Sequence, residues 1–240
     1  MARKAHSKSF PLFIMVCFLA ITLFAGEYSV GEQKFNFPAP EGFLPTSTNA
    51  PELFAHVSAL FPSNIRVIEH FLRPEEIEAF KSGKTELFKE WITILVFSDL
   101  EGGNHTLQDF ADHKNELKEQ LKPSLHSFDE IVPELTEALD DDILDFMRKY
   151  GQIVTFGLNQ DTERYVSYSF LGLYKARKDQ KPIRYIAAGT SAQILIRGKI
   201  IMINTYKIFQ DRRSIGWTRT TSETYIKKII SRNPTGETGK

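Results

Sequence analysis

The side chains best spaced for chemistry lie in two stretches. In the first, His105, Asp109 and His113 follow one another at intervals of four residues, with Glu116 three residues further on. On a helix, residues three and four apart share a face, so imidazole nitrogens and carboxylate oxygens would stand together as donors for Zn²⁺ or another divalent ion. His105, Asp109 and His113 are therefore the candidate metal ligands, serving a metal-assisted hydrolase. The spacing is not the closed H-E-x-x-H arrangement. The same face also lies opposite Leu107, Phe110 and Leu117, where a helix normally displays solvated charge, and that reading is the stronger one. The second stretch is Asp211-Arg-Arg-Ser-Ile-Gly-Trp217-Thr-Arg219. Read as a loop, it gathers Arg212, Arg213 and Arg219 about one aromatic ring, a composition that grips a carboxylate or phosphate while Trp217 stacks. The competing reading buries Trp217 as a plug and leaves the arginines solvated or paired with Asp211.

Other motifs fall short of a mechanism. Ser191 lacks the G-x-S-x-G elbow and reads as a turn or strand-end serine. Gly102-Gly103 precedes a helix without the third glycine or the Lys-Ser/Thr pair of a phosphate loop. Asp140-Asp141-Asp142 with Asp145 falls in a helical pattern rather than a calcium loop, and Glu130, Glu134 and Glu137 extend its acidic face. Asn104-His105-Thr106 is formally a glycosylation acceptor. No segment joins a nucleophile, a base and a positioning group, and none implies a cofactor.

These residues sit in a chain that starts with an export signature. Arg3, Lys4 and Lys8 precede a charge-free run from Phe10 to Ala25, which is followed by Gly26-Glu27. The run is shorter than the roughly 20 residues of a membrane-crossing helix. Cleavage after Ala25 leaves a protein of the periplasm or the exterior, and retention leaves one anchored in the inner membrane by residues 10–25. Cys17, the one cysteine, lies inside that run, so the rest of the chain holds itself together without disulfides. The roughly 215 residues that remain suffice, since such a domain buries near 70% of its unfolded surface. Without Arg3, Lys4 and Lys8 the charge count falls from 30 basic and 30 acidic residues to 27 against 30, which disfavours nucleic acid and anionic membranes as partners.

The remainder reads as one α+β domain over 26–234 with a disordered tail at 235–240. Lys34–Phe37 alternates into Pro38-Ala-Pro-Glu-Gly-Phe43 as an edge strand, and a helix starts at Pro51 with Leu53, Phe54, Val57, Leu60 and Phe61 inward. Strands follow at 65–72 and 91–97, joined by a helical segment at 74–81; the second is apolar on both faces and therefore central. Thr106 and Asp109 form a capping box for a helix that buries Leu107, Phe110, Leu117 and Leu121. Pro133 starts the next helix, with Leu135, Leu139, Ile143, Phe146 and Tyr150 at helical spacing up to Gly151. Segments 153–158, 165–174, 183–196 and 199–209 are β-branched and aromatic, a C-terminal antiparallel β-meander whose last turn uses Gly198. A final helix spans 222–232. The expected architecture is a largely antiparallel sheet packed with helices, like an α/β/α sandwich.

An N-terminal strand running into Phe37-Pro-Ala-Pro-Glu-Gly-Phe43, a strand-rich second half and an amphipathic helix after Trp217 together resemble the Mog1/PsbP-like group. Two long helices between Thr106 and Tyr150, and Phe43 where that pattern often has Trp, depart from it. The resemblance implies a small α/β/α sandwich and an accessory or binding role. The expected function is an exported, non-catalytic binding or accessory protein that meets an envelope protein or a small ligand. Intact mass of the purified protein checks the export reading: a mass matching Gly26 to Lys240 is expected, and the full-length mass would mean that the apolar run stays as an anchor.

Overall fold

The computed structural model describes residues 25–84, 87–122, 125–138, 146, 149–178 and 181–234. The described chain begins with a two-stranded ribbon, β1 (Ala25–Val30) antiparallel to β2 (Gln33–Pro38). Then come β3 (Leu44–Pro45), α1 (Thr46–Asn49), α2 (Pro51–Ala59), β4 (Ile65–Leu72), α3 (Pro74–Lys81), β5 (Glu90–Phe97) and α4 (Ser98–Glu101). Two helices, α5 (Leu107–Leu121) and α6 (Phe128–Ala138), precede β6 (Ile153–Asp161), β7 (Tyr165–Lys178), β8 (Lys181–Ile196) and β9 (Lys199–Ile208). Helix α7 (Arg212–Arg232) follows. Strands β3 to β9 form one antiparallel sheet in the order β3-β4-β5-β9-β8-β7-β6, so β5 is interior, as its two-sided apolar sequence requires.

Alternation along the strands divides the core between two faces. On one face Ile92, Ile94, Ile194 and Ile203 meet Tyr225, Ile226 and Ile229 of α7 and Phe35 and Phe37 of the ribbon. Helix α6 extends that layer over β6 to β8 through Ile131 and Leu135. On the other face Leu53 of α2 and Ile77 of α3 cover Leu72, while Phe110 and Leu117 of α5 cover Val166, Leu195 and Ile200. The result is an α/β/α sandwich of the α+β class. The β8–β9 hairpin turns on two residues, Arg197 (φ 51°) and Gly198 (φ 79°), with Ile196 opposite Lys199. Both left-handed conformations match the twist of the flanking strands.

Several elements differ from their sequence reading. The segment 211–219 is not a loop: α7 starts at Arg212, ten residues before the expected Ser222. Asp211 caps it, its side chain accepting from the Arg213 amide at 2.8 Å. Of the inward residues of these first turns, Ser214, Thr218 and Ser222 are small and polar and only Ile215 is apolar, so helical burial leaves no apolar stripe to read. Helix α6 starts at Phe128 and keeps Pro133 inside it. Burial of Ile131, Val132 and Leu135 offsets the backbone bond that the proline cannot donate. Leu60 is 70% and Leu107 41% exposed, because α2 stops at Ala59 and Leu107 is the first residue after its cap. Ser191 is buried in the middle of β8 rather than at a strand end. The strand at 34–37 is an edge strand, but of the two-stranded ribbon rather than of the large sheet, and its partner β1 starts at Ala25, next to the expected cleavage bond. Leu139, Asp140, Asp141, Asp142, Ile143 and Asp145 lie outside the described residues, as do residues 1–24 and 235–240.

Among the bonds that tie the ribbon to the sandwich, two sets are shielded from water. The Asn233 side chain accepts from the Asn36 amide and donates to the Asn36 carbonyl, both at 2.8 Å. Tyr28 Oη donates to Glu69 Oε2 at 2.7 Å, where β4 bulges between Val67 and Glu69. Burial and the Glu69 charge hold the Tyr28 hydroxyl well above the usual phenol range, so it stays a donor. Replacing Tyr28 by Phe removes a donor from a buried carboxylate. It is expected to destabilise the fold by about 1–3 kcal/mol, read as a lower urea midpoint at unchanged slope.

Candidate functional site

The geometry around Trp217 begins with Glu90, the first residue of β5. Glu90 Oε2 accepts from Arg73 Nε at 2.9 Å and Nη2 at 2.8 Å, and Oε1 accepts from Lys207 Nζ at 2.7 Å. Each cation is thereby fixed against an aromatic ring: Arg73 Cζ lies 4.1 Å from the Phe43 ring centre, and Lys207 Nζ lies 4.9 Å from that of Trp217. Arg73 Nη1 also donates to the carbonyls of Glu41 and Gly42 at 3.4 and 3.3 Å, pinning the turn that follows the ribbon. Gly42 suits that turn twice over, since its φ is +75° and a Cβ there would strike the guanidinium.

Between this turn and one side of α7 opens a cleft of about 550 Å³. Its walls include Phe43, Arg73, Trp217, Lys228 and the threonines 220, 221 and 224. Lys228 Nζ donates to the Ala39 carbonyl at 3.0 Å, and an ammonium has two further donors. The cleft thus offers an indole, hydroxyls and cationic donors, with Glu41 as its one carboxylate. Its lining contains neither histidine nor cysteine. Such a surface suits recognition of a ligand that combines a flat or apolar part with an acceptor group.

Of the four residues singled out in 211–219, only Trp217 belongs to this cleft. Arg213 folds back on Asp211 through two bonds of 2.8 and 2.6 Å, and Arg212 lies 3.3 Å from Asp129. Arg219 Nε donates to Ser169 Oγ at 2.9 Å and lines a separate pocket of about 230 Å³ beside Ser167 and Glu223. Burial, and then the Arg212 charge, push its guanidinium below the usual range. The helical geometry explains the split, because positions 217 and 219 point to different sides of α7.

The three candidate metal ligands have separate partners. His105 Nε2 donates to the Leu100 carbonyl at 3.1 Å, Asp109 accepts from the Thr106 amide at 2.7 Å in the capping box, and His113 Nε2 donates to Gln193 Oε1 at 2.5 Å. Among the described residues no group of three His, Cys, Asp or Glu side chains is arranged to hold a metal ion.

No protein-family model and no curated protein matches the chain. Among solved structures, the crystal structure of the Ran-binding protein Mog1p of Saccharomyces cerevisiae is similar, with 10% identity and a TM-score of 0.34 over 83% of this chain and 87% of that one. The likeness is a weak one of fold. The residues that build the cleft are outside its reach. Among them, Arg73, Lys207 and Lys228 carried no sequence signal, since they come from the β4–α3 link, β9 and α7 and meet only in the fold. Phe43 did stand in the quoted Phe37–Phe43 segment.

Burial would raise the Glu90 carboxyl, but hydrogen bonds and charge from Lys207 and Arg73 bring it below the ordinary glutamate value of 4.5. A carboxyl depressed in the folded state stabilises the protein above the unfolded value, and that contribution fades as pH falls through the folded value. Glu90→Gln is therefore expected to lower stability by about 1–3 kcal/mol at pH 7. In thermal unfolding the gap from the wild type should narrow as the pH drops below 4.5.

Proposed function

We propose that this chain is an exported binding or accessory protein, acting outside the cytoplasm in the cell envelope or beyond it, and that the Trp217 cleft receives its small ligand or a segment of its protein partner. The observation that carries the reading is the Arg73–Glu90–Lys207–Trp217 chain of contacts, which fixes the lining before any ligand arrives. Side chains already held in place lose little freedom on binding, which is what a recognition surface needs. The cleft's equipment of indole, threonine hydroxyls and ammonium supports recognition and supplies no nucleophile–base pair. The basic, then apolar, N-terminal segment supports the site of action, with residues 10–25 as an anchor if they are not removed.

Native mass spectrometry of the protein recovered from the cells that make it tests the reading. The wild type is expected to retain a bound small molecule or partner, and Trp217→Ala to lose it. A wild type that carries neither, or a variant that retains the same mass, overturns the assignment.

A further inference from the structure

A second concavity of about 490 Å³ lies on the opposite face of the sheet, between α2 and the strands. Its floor is aromatic. Trp91 of β5 and Tyr206 of β9, directly opposite in register, stack with ring centres 4.7 Å apart and planes 12° from parallel. Tyr174 and Tyr185 meet the Trp91 ring edge-on at 6.1 and 6.5 Å. Val57 of α2 and Leu60, just past its end, form part of the far wall.

The inner end holds His70, and a defect in the sheet puts it there. Pairing of β4 with β5 runs Val67 to Leu95 and then Glu69 to Ile94, so Ile68 is an extra residue without a partner. In an unbroken ladder Glu69 would stand opposite Thr93, facing the groove, and His70 would face α7. The bulge shifts everything by one residue, so that His70 stands opposite Thr93 and Glu69 is turned towards Tyr28. Bulges re-aim side chains in this way beside binding and active sites. The His70 ring is 2% exposed, lines the groove, and has an Nδ1 with no hydrogen-bond partner. Burial pushes its pKa down to about 3, so the imidazole is uncharged at neutral pH. A nitrogen buried without a partner is unfavourable unless something meets it, and the imidazole can both donate and accept.

We propose that this groove is a second ligand site, for an uncharged planar aromatic molecule whose hydroxyl hydrogen-bonds the His70 imidazole while its rings pack on the Trp91–Tyr206 stack. Aromatic walls favour flat apolar rings in offset or edge-on contact. The neutral imidazole favours a hydroxyl over a carboxylate, which would enter a buried site without a countercharge at its inner end. The site shares no lining residue with the Trp217 cleft, so it stands or falls independently of the function proposed for that cleft.

The two tryptophans of the chain make the test direct, because one lines each site. Their indole N–H resonances in the ¹⁵N-labelled protein, assigned with Trp91→Phe and Trp217→Phe, report the sites separately. With 2-naphthol as the probe, the Trp91 resonance is expected to shift saturably while that of Trp217 stays in place. His70→Leu should weaken binding about fivefold to tenfold, the range of one neutral hydrogen bond. Val57→Phe, which narrows the groove from the helix side and leaves the sheet untouched, should weaken it as well. A Trp91 resonance that does not saturate, or both variants binding 2-naphthol as tightly as the wild type, would overturn the proposal. Circular dichroism of each variant separates loss of the site from loss of the fold.

Discussion

A carboxylate shut away from solvent is tolerable only if donors surround it. Glu69, with no exposed surface, accepts from the Tyr28 hydroxyl at 2.7 Å, its neighbour's His70 amide at 2.9 Å, the Ser47 amide at 3.1 Å and the Ser47 hydroxyl. Those donors come from β1, α1 and β4 itself, so a single group fastens the ribbon, the first helix and the bulge. Remove the bulge and the alternation of β4 beyond it reverses: Glu69 enters the aromatic groove, and His70 and Leu72 turn to the face of α7. The composition of both faces therefore depends on this one satisfied charge.

Glu90 plays the corresponding part at the other end of the β4–β5 pair. It takes two cations, and each of those is also committed to an aromatic ring and, for Arg73, to a turn. Buried ion pairs gain little net stability over apolar packing, because desolvation offsets attraction. Their effect here is geometric. Arg73 holds the 41–42 turn at one lip of the cleft, Lys207 holds the indole at the other, and Glu90 sets the distance between them.

What the sequence discloses follows from which forces act locally. Alternation and β-branching mark 65–72, 91–97 and the whole meander, since each of those strands has a face whose burial depends on its own residue types. The Thr106–Asp109 box is a local hydrogen-bond pattern and is equally plain. The start of α7 is hidden because Ser214, Thr218 and Ser222 are chosen for closeness to the sheet, Thr218 Oγ1 meeting Thr190 Oγ1 at 2.9 Å, rather than for hydrophobicity. Strand β1 is hidden beside an apolar run that reads as a separate signal. Among candidate site residues, Trp217 is legible as a ring amid arginines, yet its working neighbours Arg73, Lys207 and Lys228 arrive by tertiary folding. The local arginines go elsewhere. His70 is harder still, since plain alternation from Val67 assigns it to the wrong face.

The two concavities are built back to back on the same register. Glu90 pairs with Lys207, and the next pair is Trp91 with Tyr206. The first pair anchors the cleft on the α7 side through Lys207 against Trp217, and the second floors the groove on the α2 side through the Trp91–Tyr206 stack. Because side chains alternate with a period of two, neither surface can be kept if β5 and β9 slip by one residue, for a slip sends each pair to the other's face. Register is fixed from both directions at once: an ion pair partly shielded from water on one side, and a ring stack on the other. That shared dependence ties both surfaces to the β5–β9 junction: Trp91 stands in it, and Trp217 of α7 lies against its Lys207.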